Sequence, residues 1–263
     1  MSRVESVRFD RAADYYDRTR NLADATMERV VSVLRTELES HLPCLEIGVG
    51  TGRIAVPLHE AGIEMIGLDL SRPMLAQLVA KGGGRAPFPL MVSDATHVPL
   101  ASASAGSALV VHVLHLIPGW RTVLAELIRI VGPRGRVMVD MGGFGEGPWR
   151  AVTDYFAERA GVEVRGHGAQ TPEEVDDAMR ARGASVRVLD SITETRSSSF
   201  ERGIRLLEDG LFSFTWDATP EARSAAAADT RAWARARFED LDARFDYEMQ
   251  IVYRVYDLPG EER

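Results

Sequence analysis

Residues 44–58 read CLEIGVGTGRIAVPL, an apolar run that passes through three glycines at alternate positions and straight into a helix-like stretch. A buried strand followed at once by a helix is half of a β–α–β unit, and few folds are built from such units. Glycines at 48, 50 and 52 let the backbone turn sharply and lie close to something other than protein. The rest of 42–142 repeats the pattern. IEMIGLDL (63–70) is a second apolar run, and a helix is expected from Arg72 to Lys81 behind an N-cap at Ser71. FPLMVSD (88–94) and SALVVHVLHL (107–116) read as third and fourth strands. Trp120, Val123, Leu124, Leu127, Ile128 and Val131 then fall on one face of a helix closed by GPRG, before a fifth strand, RVMVDMG (136–142). Strand and helix alternate at least four times, which predicts a parallel sheet covered on both faces.

The flanks are less regular. Helices are expected over 9–20, 23–40 and 52–61, the last with Pro57 near its first turn. TPEEVDDAMRARG opens with a capping box, Thr171 to Glu174 with Pro172 between, and stops at Gly183. ASVRVLDSITETR (184–196) reads as a strand, and 200–240 as helix broken by an aromatic knot, LFSFTW (211–216). DYEMQIVYRVY alternates with period two, predicting a final strand over 246–257. Repeats and low-complexity linkers are lacking, so the chain reads as one domain over 1–263. Within it lie a helical cap (1–41), a core (42–142), a strand-bearing segment (143–199) and a helical insertion (200–245) ahead of the last strand.

A net charge of −8 and a pI near 5.4 argue against a nucleic-acid partner, which would call for a basic stripe. No apolar run approaches the roughly 18 residues that span a bilayer. The charged N-terminus has no apolar signal region, and the single cysteine, Cys44, has no disulfide partner, so the cytoplasm is the expected location. Lys81 is the only lysine, a skew read as genomic composition rather than chemistry.

Two ligands are tested against the glycines. A dinucleotide fingerprint beginning at Gly48 and Gly50 needs a third glycine at position 53, which is Arg53; a phosphate loop needs Gly-Lys-Ser/Thr, which is missing. The pattern Glu46, Gly48, Gly50, Gly52 instead resembles motif I of the class I S-adenosylmethionine-dependent methyltransferases. That resemblance implies a Rossmann-like α/β fold, with a mostly parallel seven-stranded sheet whose last strand is antiparallel. It implies that the glycine turn passes the methionine part of the cofactor and that Glu46 faces its amino group. Asp69, in GLDLS, then accepts the ribose hydroxyls, with Leu70 and Met74 beside it. Asp94 and Ala95, in VSDA, lie at the adenine, and Val111 ends the fourth strand. LIRIVGPRGRVMV resembles the family's turn before strand five, with Arg134 in place of a glycine. The N-terminal FDRAADYYDRTR resembles the menaquinone/ubiquinone-biosynthesis-like group, in which a helix closes over the cofactor; Tyr15, Tyr16 and Arg20 are the covering candidates.

The resemblance implies methyl transfer to a small molecule, leaving S-adenosylhomocysteine. Cytosine chemistry lacks its Pro-Cys nucleophile, amino-directed nucleic-acid chemistry lacks its Asn/Asp-Pro-Pro-aromatic motif after strand four, and no metal-ligand cluster can be assembled. His112 and His115 are the candidate general bases. Trp120, Phe144, Trp149, Phe212, Phe214 and Trp216 are candidate walls of an acceptor pocket, with packing of a helical lobe as the alternative. Two other readings remain open: a cofactor-binding protein of this fold that catalyses a non-methylating reaction such as a cyclisation, and a non-catalytic binding subunit. A monomer or homodimer is expected.

Overall fold

A computed structural model describes residues 6–142, 148–164 and 166–260. In chain order its elements begin with α1 (Tyr16–Arg20), α2 (Asp24–Leu38), β1 (Cys44–Ile47), α3 (Ala55–Glu60), β2 (Met65–Asp69) and α4 (Arg72–Lys81). Next come β3 (Leu90–Val92), β4 (Ser107–Val111), α5 (Trp120–Val131), β5 (Arg136–Asp140), α6 (Pro148–Ala160) and α7 (Pro172–Arg180). The last are β6 (Ser185–Val188), β7 (Ile192–Ser198), α8 (Phe200–Glu208), α9 (Pro220–Arg235), β8 (Phe245–Ile251) and β9 (Arg254–Asp257).

Seven strands form one sheet in the order β3-β2-β1-β4-β5-β9-β6. β1 runs parallel to both β2 and β4, β4 parallel to β5, and only β9 runs antiparallel, between β5 and β6. This is the expected sheet. Every residue of β1 and β4 is buried, as strands covered on both faces must be. The chain winds outward through β2 and β3, then crosses back to start β4 beside β1. The carboxyl ends of β1 and β4 therefore flank the point where strand order reverses, the place where open α/β sheets bind ligands.

Local chemistry sets the boundaries. Ser71 caps α4 by accepting from the Met74 N–H at 3.3 Å, and Thr171 caps α7 by accepting from Glu174 N at 3.3 Å. Glu174 reaches back to the Gln170 N–H at 2.8 Å, completing a variant of the expected capping box. Buried Asp176 of α7 accepts from Tyr256 Oη at 2.8 Å and pairs with Arg254, tying α7 to β9.

Several expectations need correction. The helix expected at 52–61 starts at Ala55, because Gly50 and Gly52 hold left-handed φ values of +56° and +79° that no helix can include. The helix at 9–20 is a 3-10 turn at 10–12 followed by the short α1. The strand at 184–196 is two strands, β6 and β7, and the final strand is likewise β8 and β9. In both cases the first-glance alternation runs across a break at which the chain changes sheets: β7 and β8 pair with each other, while β6 and β9 stay in the large sheet.

Those changes of sheet mark two compact units. The first comprises 6–142, 167–192 and 251–260 and holds the seven-stranded sheet; the second comprises 148–164, 166 and 193–250. The second has its own core of Val152, Phe156, Phe200, Ile204 and Leu207 against the alanines of α9. Ser199 and Thr219 cap α8 and α9. Trp149, Phe212 and Phe214 pack on this core, and Trp216 donates its indole N–H to Gly210 O at 2.9 Å. These four aromatics thus have packing roles inside their own unit. Phe144 lies outside the described residues.

Candidate functional site

The three glycines of the turn after β1 have three different reasons to be glycine. All are left-handed, with Gly48 at +68°. A side chain at Gly48 would run into Val113, in the loop after β4. One at Gly52 would lie 2.6 Å from Val56 and 3.0 Å from Leu78, so Gly52 serves the packing of α3 and α4. One at Gly50 would meet only the flexible end of Met74, at 3.2 Å, and the space before it is a cleft.

That cleft is lined by Gly48, Gly50, Asp69, Leu70, Met74, Asp94, Ala95, Val111 and His112, together with Tyr16. It therefore gathers most of the cofactor-binding candidates picked from sequence, chiefly at the carboxyl ends of β1 to β4. Asp69 anchors it: Oδ2 accepts from Gly50 N and Oδ1 from Ser71 N, both at 2.8 Å. Burial raises its pKa while those N–H groups hold it down. Each oxygen keeps a second lone pair for a ligand hydroxyl. Asp94 accepts from both the N–H and the hydroxyl of Thr96 at 2.8 Å, which fixes the Asp94–Ala95 turn.

Glu46 is 3% exposed, and its Oε2 has no hydrogen-bond partner among the described residues. Burial pushes its carboxyl up to about 8, against the pull of Arg53 and of the Ala55 N–H at the start of α3. An unsatisfied buried carboxyl beside a glycine turn is costly unless something else fills its hydrogen bonds. Together with the open approach to Gly50, it fits a ligand that brings an ammonium group and a ribose to this turn. The donor set fits S-adenosylmethionine.

The two histidines separate. His112 lines the cleft, donates its backbone N–H to Asp140 O at 2.8 Å and lies 3.1 Å from Asp140 Oδ2 through Nε2. His115, in the 3-10 turn at 114–116, does not line it; burial, with His112 and Arg20 adding to the effect, pushes its pKa down to about 4. Trp120 is 4% exposed within the core under α5, so it packs rather than lines the cleft. Glu46, Gly52, Tyr15 and Arg20 also lie off the cleft wall.

Other residues on the wall escaped the sequence reading. Val7, Phe9, Leu116 and Ile117 add an apolar side, and Val7 N donates to Leu116 O at 3.3 Å. Lys81, the lone lysine, pairs with Asp17 at 2.5 Å and donates to Thr51 O at 2.9 Å, while Thr51 Oγ1 donates to Asp17 at 2.6 Å. This knot ties α1 to the glycine turn and to α4. Its one visible signal was the rarity of lysine. Asp140 had a clearer one, since it is an acidic residue at a strand's carboxyl end, like Glu46, Asp69 and Asp94.

Comparison with known proteins places the same stretch of chain in a known domain. The methyltransferase-domain family matches residues 45–139. A demethylmenaquinone methyltransferase of Renibacterium salmoninarum is 27% identical over 62% of this chain and 70% of its own length. One from Beutenbergia cavernae is 28% identical over 54% of this chain and 58% of its own length. Among solved structures, phosphoethanolamine N-methyltransferase 2 of Haemonchus contortus, bound to S-adenosylhomocysteine, superposes with a TM-score of 0.52 and 17% identity. That superposition covers 89% of this chain and 53% of the other.

Proposed function

The chain belongs to the class I S-adenosylmethionine-dependent methyltransferases, and we propose that it methylates a small-molecule acceptor with His112 as general base. The observation that carries this reading is one cleft that gathers Gly50, Asp69 and Asp94 from the ends of β1 to β3 with His112 from the end of β4. When bound, S-adenosylmethionine supplies a methyl group activated on a sulfonium sulfur. Gly48 and Gly50 bring backbone close to it, Asp69 offers a two-point acceptor to its ribose, and Oε2 of Glu46, unpartnered among the described residues, accepts from its ammonium group. Asp94 and Ala95 hold the adenine end. What remains for the protein is alignment and exclusion of water, the main sources of rate in a displacement of this kind.

His112 is preferred to His115 for two reasons. It borders the cleft, and an imidazole whose conjugate acid has a pKa near 4 is a weak base at neutral pH. The apolar wall of Val7, Phe9, Leu116 and Ile117 suits a flat, largely apolar acceptor. The two relatives named above are demethylmenaquinone methyltransferases, which supports an aromatic acceptor of the quinol type. The acid balance of the chain favours such a molecule over nucleic acid. Trp149, Phe212, Phe214 and Trp216, already engaged in their own unit, are a weaker choice for the acceptor wall.

Calorimetric titration with S-adenosylmethionine, S-adenosylhomocysteine and NAD tests the reading. Micromolar binding of the first two and none of the third is expected. Asp69→Ala should weaken the first two at least tenfold, roughly the cost of one charge-assisted hydrogen bond pair. Unchanged binding in that variant would remove Asp69 from the site.

A further inference from the structure

We propose that Asp140 is the positioning residue for His112, and that together they deprotonate the hydroxyl of a phenolic or enolic acceptor. The proposal deepens the methyl-transfer reading and rests on it. It starts from register: β4 and β5 pair with Val111 opposite Asp140, so the residue after β4 lies beside the end of β5. There Asp140 is 3% exposed, and each of its carboxylate oxygens has one partner. Oδ1 accepts from Gly142 N at 2.8 Å, and Oδ2 is 3.1 Å from His112 Nε2. A carboxylate in that position accepts, so the ring proton sits on Nε2 and the lone pair on Nδ1. Nδ1 has no partner among the described residues, and the ring, one third exposed, borders the cleft.

Two further features hold the same ring at a cost. His112 has φ +56°, a left-handed conformation uncommon outside glycine. Gly142, also left-handed, leaves room for the imidazole: a side chain there would lie 2.9 Å from Nε2. A mere loop anchor needs neither the strain nor a free nitrogen on the cleft. The other ionisable neighbours are His115 beside the ring, and Tyr253, which faces Asp140 along with Arg53 and Glu46.

The arrangement selects acceptors by proton chemistry. An amine that is already neutral attacks through its own lone pair and needs no base. A phenol is protonated at neutral pH, with a pKa of about 10 for a tyrosine-like ring, and does need one. Its proton passes to Nδ1, and the electron pair released on oxygen, or on the ring carbon conjugated with it, forms the bond to the methyl carbon. The carbon–sulfur bond breaks with its pair left on sulfur; after attack through carbon, that carbon's hydrogen leaves as a proton to water. Asp140 stabilises the imidazolium as it forms and keeps Nδ1 turned to the acceptor.

The first test is nitrogen–proton correlation NMR of the full chain, with His112 assigned by its loss in His112→Ala. Nδ1 unprotonated and Nε2 protonated is the expected tautomer, and a proton on Nδ1 would overturn the proposal. In Asp140→Ala both tautomers should appear. The second test follows S-adenosylhomocysteine release from S-adenosylmethionine with simple phenols, an enolic diketone and primary amines between pH 5.5 and 9. Hydroxyl acceptors should turn over, His112→Ala should lose about 100-fold or more, and Asp140→Ala should lower kcat while S-adenosylmethionine affinity stays at the wild-type value. Turnover of hydroxyl acceptors undiminished in His112→Ala would overturn the proposal, as would equal loss of cofactor affinity and turnover in both variants. Failure of the wild-type protein to bind the cofactor would instead count against methyl transfer, while the tautomer still reports on the pair.

Discussion

Single residues at this site differ in what they were selected to do, and substitution separates the roles. Gly50 and Gly52 share the left-handed backbone, so alanine at either costs about 1–2 kcal/mol from conformation alone. At Gly52 the new methyl also collides with Val56 and Leu78, whereas at Gly50 only Met74 must yield. Gly52→Ala should therefore lower the Tm more, and Gly50→Ala should weaken S-adenosylmethionine more; the opposite ranking in paired melting and calorimetry would remove the cleft from in front of Gly50. Glu46 gives a second prediction. Burial is the main reason its folded pKa stands at about 8, against about 4.3 in an unfolded chain. The folded protein holds this proton where the unfolded chain has released it. Glu46 thus costs stability progressively as pH rises from about 4.3 to 8, and nothing further above that. An amide in its place cannot titrate, so the Tm of Glu46→Gln relative to wild type should climb by several degrees between pH 5 and pH 8.5; a flat difference would mean the carboxyl is ionised in the fold. Sequence singled out Glu46, Asp69 and Asp94 through the family resemblance of the motifs that hold them, and His112 through its place at the end of the fourth strand. Asp140 also ended a strand, yet what marks it is a bond to a side chain 28 positions away, and a linear pattern does not carry that.

Among elements, those with a strong local signature were legible and those defined by distant partners were not. α5, with its apolar stripe and the glycine at 132 ending it, begins at the expected Trp120, although Ile130 rather than Ile128 is the fully buried member of the last turn. β6 to β9 were misread because each half of a broken strand keeps the alternation of the whole, and only pairing shows where the chain changes sheets. The two-unit division was hidden for a related reason: the glycine-rich stretch 142–147 marks one edge, but the edges at 192–193 and 250–251 fall inside strand-like segments. α1 is too short to be stable alone and is held by the Asp17–Lys81–Thr51 knot. The ion pair is partly exposed, so its loss should barely move global stability. Lys81→Gln is accordingly expected to shift the Tm by less than about 2 °C, given the small energy of such pairs and the size of the chain. Amide exchange over residues 10–20 should speed up severalfold, and the cofactor should leave faster. Unchanged exchange in that segment would show that α1 is secured by its apolar side, through Phe9 and Tyr16, rather than by the lysine.

At the scale of the whole molecule, the sheet divides its labour between two ends. The carboxyl ends of the parallel strands carry the cleft; the other end carries a network joining four segments far apart in sequence. Arg136, the first residue of β5, donates to Asp257 at 2.6 Å and to Glu37 of α2 at 2.7 Å, and Arg187 of β6 bonds the same two carboxylates at 3.3 and 2.8 Å. Arg187 and Arg136 hold the Glu37 pKa below its ordinary value; at Asp257 burial works the other way, but pairing with the same two arginines outweighs it. Both folded pKa values are depressed, so the stabilisation is present above the ordinary carboxylate range and is lost as pH falls through the lower folded values. Glu37 and Arg136 are about 15% exposed, so removing the carboxylate leaves the largely desolvated Arg136 guanidinium with Asp257 as its remaining carboxylate partner. With about 1.5–3 kcal/mol for a charge-assisted pair and 2–4 °C per kcal/mol in a chain of this size, Glu37→Gln should lower the Tm at pH 7 by about 3–12 °C. The gap should narrow as pH falls through the lowered folded value of Glu37, below which the wild-type carboxyl is also neutral. S-adenosylmethionine affinity should stay at the wild-type value, because no member of the network borders the cleft. A variant that loses affinity in step with its Tm would mean that the two ends of the sheet are energetically coupled, and the division of labour would then have to be given up.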